Sequence, residues 1–389
     1  MNIIDTYNYE LDNYLNDKLG DIEGTEESEI QDTSGLKYLF DPRQIKITVE
    51  TTTIYNLVQR LKSRSIDLYP DFQRKDNLWK VDRQSLLIES VLLRFPLPAF
   101  YFDIELDGND EENWLVVDGV QRLSTFKNFI IDNSFKLGRL EILKDYEGYF
   151  YKELDGMQRR RILETQVTTF KIQPGTPKDV KYHIFKRINT GGLGLTPMEI
   201  RYALNQKGIA GRFLRDLTED NDSFFKKFLE ENKIRAYRME DRELLLRYVA
   251  FMLTSYQNYE PNLSDFLNVS IERLDNLSLT ECKCLENSLQ NAIDTYYTLF
   301  DNKRFGKNLT NYCRLNSPLF EVWASELGKL NSNERHRLIL RKEDIKTEYE
   351  KLLDYEVFQS SFTKSTSNKI AVRTRFTFIN NLIQSFLND

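Results

Sequence analysis

The stretch "WLVVDGVQRLSTF", residues 114–126, sets an acid, a glycine, an amide and an arginine where an apolar run meets a helical pattern. If Asp118 ends a buried strand and stands as the helix N-cap, the N–H groups of Gly119, Val120 and Gln121 face out of the helix start. The helix dipole favours an anion at that point. Gly119 lets a ligand approach the backbone closely, and Arg122 carries the planar fork that matches a phosphate. Gln121 suits orienting a water or holding a ribose. Asp118 would repel a phosphate directly, so its chemistry is to hold magnesium or to orient Arg122. The plain alternative uses the same residues as an Asp cap and an arginine paired with a neighbouring acid.

Two further clusters carry related chemistry. "YPDFQRKDNLW" sets Asp71, Gln73, Arg74 and Lys75 between Tyr69, Phe72 and Trp79. "FKRINTGG" sets Lys186, Arg187 and Asn189 before Gly191 and Gly192. Either alone reads equally as a loop with core anchors or as a helix C-terminus. Both fall beside strand or helix ends of the same small domain as Asp118.

Those residues need a frame. "TVETTTIYNLVQRLKS" begins β-branched and then places Ile54, Leu57, Val58 and Leu61 on one helical face. A short strand at Ile66–Leu68 precedes the first cluster. The helix "VDRQSLLIESVLLRF" has Leu87, Ile88, Val91 and Leu92 apolar and stops before Pro96 and Pro98. "AFYFDIEL" and "NWLVVD" flank a polar loop, 107–112, and read as a hairpin. After Asp118 the helix shows Val120, Leu123, Phe126 and Ile130 on one side. "QVTTFKIQ" adds a strand, and Pro177 starts a helix with Val180, Ile184 and Ile188 inward and His183, at helical spacing with Val180 and Ile184, in a core or half-buried role. "TPME" predicts a capped start, with Thr196 as N-cap, Pro197 first in the helix and Glu199 closing a capping box. From about residue 206 nearly every segment reads helical. The expected fold class is therefore α+β, with an arm at 1–44, an α+β domain at 45–205 and a mainly α-helical domain at 206–389.

Composition limits the rest. The chain has 389 residues, 40% hydrophobic, which suffices for two domains with cores. No apolar run approaches a membrane span, and no basic leader with an apolar core opens the sequence. Cys282, Cys284 and Cys313 form no C-x-x-C pair, so a disulfide framework is not expected. A cytoplasmic setting fits these features. The net charge of −6 is uneven: residues 1–32 hold ten acids against Lys18, or −9, leaving +3 on the remainder (−6 + 9). The acidic overall balance thus does not exclude DNA as a partner of the main body. The acidic arm reads as a solvated, weakly helical leader, or as a mimic of DNA charge that shields a basic groove.

At "YPDFQRKDNLW", "LLIESVLLRFPLPAFYF", "VVDGVQRLSTF" and "FKRINTGGLGLTPMEIRYAL" the chain resembles the GmrSD-type restriction-system N-terminal domain family. The resemblance covers roughly 45–205 in the right order and continues weakly through "DRELLLRYVAF", "RLNSPLFEVWAS" and "NKIAVRTRF". It implies a ParB/sulfiredoxin-like fold, a pocket that binds and hydrolyses a nucleoside triphosphate, and a role in bacterial defence against modified or foreign DNA. By that resemblance Asp118, Gly119, Gln121 and Arg122 match the D-G-Q-Q-R signature, with Val120 in place of its first glutamine. Gln73 and Arg74 match an earlier Q-R pair; Arg187, Asn189 and Gly191 match R-I-N-x-G. The implied catalytic set is Asp118, Gln121 and Arg122. The implied nucleotide-binding set is Gln73, Arg74, Gly119, Arg187, Asn189 and Gly191. Fuller systems pair this domain with a histidine-dependent HNH-type nuclease. Here His183 and His336 stand far apart without H-x-x-P, so a nuclease would be a separate effector subunit. Relatedness to sulfiredoxin carries no redox activity here, since no cysteine precedes Cys282.

Two other function classes remain beside the nucleotide hydrolase. One is a ParB-like DNA-binding module without turnover, using Lys181, Lys186, Arg187, Arg201, Arg212 and Arg215 on a DNA backbone. The other is DNA nicking by this domain itself, for which Glu89 and Glu199 are the acids to test. Their ordinary roles are a helix surface and a capping box.

Overall fold

The computed structural model describes residues 22–23, 45–68, 79–106, 111–188, 195–232, 238–260, 262–309 and 314–388. These divide into two compact units: one runs to residue 195, and the other holds 196 onward together with strand β1 (Ile22–Glu23). The class is α+β, with a mixed sheet in the first unit and helices through the second.

The first unit is built on a five-stranded sheet. Its members are β2 (Ile47–Thr53), β3 (Ile66–Asp67), β4 (Phe100–Leu106), β5 (Glu112–Asp118) and β6 (Gln166–Ile172), in the order β2-β6-β4-β5-β3. Strands β4 and β5 form the expected antiparallel hairpin; its loop residues 107–110 lie outside the described residues. Strand β6 runs parallel to β4 and antiparallel to β2, while β3 runs parallel to β5. It follows that β2, β3 and β5 point the same way, and their C-terminal residues Thr53, Asp67 and Asp118 meet one edge of the sheet. That edge carries the candidate site.

Alternation decides which face is buried. Phe100, Phe102, Ile104, Trp114 and Val116 form one face, and it packs with helices α1 (Ile54–Lys62), α2 (Val81–Leu92) and α3 (Val120–Phe126) in one core. In α1 the buried residues are Ile54, Leu57 and Val58, as the spacing predicts; in α2 they include Leu87, Ile88, Val91 and Leu92. Helix α4 (Gly156–Glu164) then leads into β6. Helix α5 (Lys178–Ile188) bears on the opposite sheet face, where Lys181 Nζ meets the buried Asp103 carboxylate at 2.6 Å. Its buried stripe is Val180, Tyr182 and Phe185, with Ile184 and Ile188 half-buried. Two aromatic side chains have thus taken the inward positions expected for the isoleucines. His183 is half-buried, as expected.

The second unit contains α6 (Pro197–Asn205), α7 (Ile209–Glu219), α8 (Phe224–Glu231), α9 (Glu240–Leu253), α10 (Leu263–Asp275) and α11 (Leu279–Leu299). After β7 (Leu315–Asn316), which pairs with β1, come α12 (Ser317–Gly328), α13 (Ser332–Leu340), α14 (Lys342–Leu353), α15 (Glu356–Thr363) and α16 (Lys369–Asn388). The "TPME" signal is met at α6. Thr196 Oγ1 accepts the Glu199 N–H at 3.1 Å, and Glu199 Oε2 accepts the Thr196 N–H at 2.7 Å. No helix is long and apolar enough to cross a membrane among the described residues.

Candidate functional site

Asp118 ends β5, but it is not the cap of the following helix. Gly119 takes that position with φ +106°, and no side chain caps the helix. A β-carbon at Gly119 would stand 2.5 Å from Phe100 Cδ1, so glycine answers both a left-handed backbone and a close ring. A β-bulge lies beside it: β4 pairs Tyr101 with Asp118 but Phe102 with Val116. Bulges re-aim the residues at the end of a strand, and this one sits where the chain turns from β5 into α3.

The Asp118 carboxylate meets Arg122 instead, with Oδ2 accepting from Nη2 at 2.9 Å. The Arg122 guanidinium also donates to the carbonyl of Pro98, and to that of Ala99 at 3.0 Å. It lies over the Phe100 ring, 4.4 Å from the centroid. Only 7% of Arg122 is exposed, against 41% of the Asp118 side chain. Burial draws the guanidinium's pKa down, and Asp118 and Tyr101 draw it back up. An arginine keeps its charge through such a shift. Arg122 therefore locks the turn before β4 to the end of β5, while the carboxylate it orients stays open to solvent.

Gln121 is half-buried, and its Oε1 accepts the Trp79 N–H at 2.9 Å. The Trp79 carbonyl in turn accepts from Gln84 Nε2 at 2.6 Å, and Asn128 Nδ2 donates to Gln84 Oε1 at 3.2 Å. Arg83 covers the Trp79 ring, 4.6 Å from its centroid. The backbone of Trp79 is thereby clasped from α2 and α3 together. This matters because Trp79 closes the "YPDFQRKDNLW" segment. Strand β3, which precedes that segment, ends at the same sheet edge as Asp118, and Trp79 bonds to the first turn of α3; residues 69–78 lie outside the described residues. Gln73 and Arg74 themselves lie outside the described residues, as do Asn189 and Gly191. Arg187 is exposed in the last turn of α5.

Val120 is buried, 8% exposed, so packing has taken the position where the family signature has glutamine. Residues that the sequence did not single out complete the site: Phe100 under Arg122, the carbonyls of Pro98 and Ala99 that accept from Arg122, and Gln84 at Trp79. Backbone carbonyls leave no mark in a sequence, whereas an Asp–Arg pair four residues apart does.

The other acids have structural partners. Glu89, 4% exposed, accepts the N–H groups of Glu141, Ile142 and Leu143 at 3.0, 2.7 and 2.7 Å. It is a clasp for that loop rather than a helix-surface residue. Among the described residues no group of three or more His, Cys, Asp or Glu side chains is placed to hold a metal ion. Of the cations expected on a DNA-facing surface, Lys181 is paired with Asp103 and Arg201 is 1% exposed, bonded to Asn268 and Ser264. Arg187 and Arg212 are exposed, and Arg215 pairs with Asp216 at 3.4 Å.

No curated protein matches the chain. A solved structure of a Pnob8-like ParB-N domain is 15% identical over 87% of this chain and 98% of that one, with a TM-score of 0.22. A superposition that loose carries no argument, and the fold class stands on the sheet and helices described above. Residues 54–206 match the family model for the GmrSD restriction endonuclease, N-terminal domain. The match takes in α1 to α6, and with them the bulged end of β5, Gly119 and Arg122. In its segment 54–206 this chain is similar to the N-terminal domain of the GmrSD restriction endonuclease family.

Proposed function

We propose that this protein belongs to a bacterial restriction-type defence system and that its first unit binds and hydrolyses a nucleoside triphosphate at the Asp118–Arg122 turn. The observation that carries this reading is the clasp of Trp79 by Gln121, within a segment that matches the GmrSD N-terminal family. It fixes Trp79, which follows Arg74 in the sequence, at the helix start after Asp118. In this reading Gln73, Arg74, Arg187, Asn189 and Gly191 meet the phosphates together with the amides after Gly119. Asp118, open to solvent and held by Arg122, is the residue to receive a magnesium ion or the attacking water. Gln121 and Arg122 set the geometry. Phosphoryl transfer needs chiefly positioning and charge stabilisation, which such a set supplies without a covalent nucleophile. Coupling would be to DNA or to a separate nuclease or effector subunit.

Titration calorimetry with non-hydrolysable analogues of ATP, GTP and CTP tests the binding step. Loss of a charge-assisted phosphate contact is worth about 1.5–3 kcal/mol, so Arg74→Ala and Arg187→Ala should each weaken binding by roughly tenfold or more. Equal affinity in wild type and both variants would remove the phosphate assignment. Absence of binding with salt-sensitive DNA binding retained would favour a ParB-like module without turnover.

A further inference from the structure

A groove opens at the same sheet edge, away from the Asp118 turn. It is a groove of ≈ 600 Å³ between the start of α1 and the outer side of α4, lined by Thr53, Tyr55, Tyr151, Arg159, Arg160 and Glu164 among others. Tyr55 is 49% exposed in the first turn of α1. Tyr151 is fixed from behind, edge-on to Phe129 at 5.7 Å between centroids. Burial pushes its phenol pKa up, and the nearby Arg159 charge pulls it back. The run Arg159-Arg160-Arg161 divides its work. Arg161 donates to the Leu92 carbonyl at 3.3 Å, while Arg159 and Arg160 are exposed and line the groove. Glu164 lies 4.0 Å from Arg160, and the two arginines of the lining outnumber this acid, so the groove is net positive.

We infer that this groove binds a single strand of nucleic acid, with phosphates on Arg159 and Arg160 and a base stacked on Tyr55 or Tyr151. Guanidinium groups beside tyrosine rings suit phosphodiesters alternating with planar bases, and an unpaired strand alone offers both at once. A duplex keeps its bases stacked on one another and would use the arginines without the rings. Register places the groove relative to the Asp118 turn. Asp118, Tyr101, Phe170 and Val49 are successive partners across β5, β4, β6 and β2, and Thr53 lies four residues beyond Val49. With strands ~4.8 Å apart and residues ~3.3 Å along a strand, the two sites stand about 20 Å apart along one edge. The inference uses no residue of the Asp118 turn, so it survives or fails separately from nucleotide hydrolysis.

The test is fluorescence anisotropy of the full chain, without nucleotide, on labelled oligothymidylate and on a duplex of equal length across a salt series. Single-strand binding should fall with salt, and Arg159→Ala/Arg160→Ala should reduce the log–log slope by about 1.4, or ~0.7 for each phosphate released. Tyr55→Ala should weaken single-strand binding by roughly five- to a hundredfold, as loss of one stacked base does, while leaving the salt slope unchanged. Both substitutions are at exposed helix positions, and circular dichroism checks that the fold is kept. An unchanged slope in the arginine double variant would overturn the proposal. So would duplex binding as tight as single-strand binding with Tyr55→Ala and Tyr55→Ala/Tyr151→Leu indistinguishable from wild type.

Discussion

At the scale of single residues, the site turns on one glycine and one arginine. Gly119 combines φ +106° with a ring 2.5 Å from where a β-carbon would sit. Strain of that kind costs on the order of 1–3 kcal/mol, so Gly119→Ala should lower the thermal midpoint and displace Asp118 from Arg122. A wild-type midpoint in that variant, read by calorimetry, would mean that the Phe100 ring yields freely. The glycine's chemical use was legible as a backbone open to close approach. Its conformational need was not, because the Phe100 contact comes from a neighbouring strand. Asp118 reads as an N-cap because Asp before a helix usually is one. The bulge adds a residue to the turn and passes the cap position to Gly119, and the carboxylate takes Arg122 instead.

At the scale of elements, local patterning carried far. The apolar faces of α1 and α2, the β4–β5 hairpin and the capping box of α6 follow from spacing and end signals alone. What escaped was the irregular chain between α3 and α4, which has no period to read. Long-range side-chain bonds hold it, above all Glu89 on α2. Burial raises the Glu89 carboxyl, but the N–H groups of Leu143, Glu141 and Ile142 and the Lys144 charge outweigh it, and the pKa lies below the usual carboxylate range. The sign follows. A depressed carboxyl contributes stability that is present above its unfolded pKa, about 4.3, and that is lost as pH falls through the lower folded value. Glu89→Gln should therefore destabilise the protein at neutral pH and flatten the loss of stability on acidification below about pH 4. Urea titrations at several pH values check this; parallel curves for the two proteins would contradict it.

At the scale of the whole molecule, three helices of the second unit, α9, α12 and α16, meet in one buried ionic cluster. Glu321, 0% exposed on α12, accepts from Arg247 of α9 at 3.2 Å and from Arg375 of α16. Arg247 is also held by Glu243 at 2.9 Å, and Arg375 donates to the carbonyls of Ser361 and Thr366. Two acids and two arginines balance, which is the condition for burying them. Removing one leaves an uncompensated charge, so Glu321→Ala should cost about 3–5 kcal/mol. Denaturation followed by circular dichroism, which reports mainly the helices, should show the midpoint fall; an unchanged midpoint would show that the cluster is replaceable. The sequence displayed Arg247, Glu321 and Arg375 as separate helix residues, and nothing in their spacing pairs positions 74 and 54 residues apart.

Nucleotide turnover at the turn after β5 is measured most directly by phosphate release in the presence of magnesium. ATP, GTP and CTP are supplied in turn to the wild-type chain and to Asp118→Asn and Arg74→Ala, with and without DNA. The substitution Asp118→Asn keeps an acceptor for Arg122, so loss of activity with an unchanged thermal midpoint isolates the carboxylate's chemistry. If the turn after β5 is the site, the wild type turns over at least one nucleotide and both variants lose that activity. Release that is absent with every nucleotide, or that persists in both variants, would contradict it.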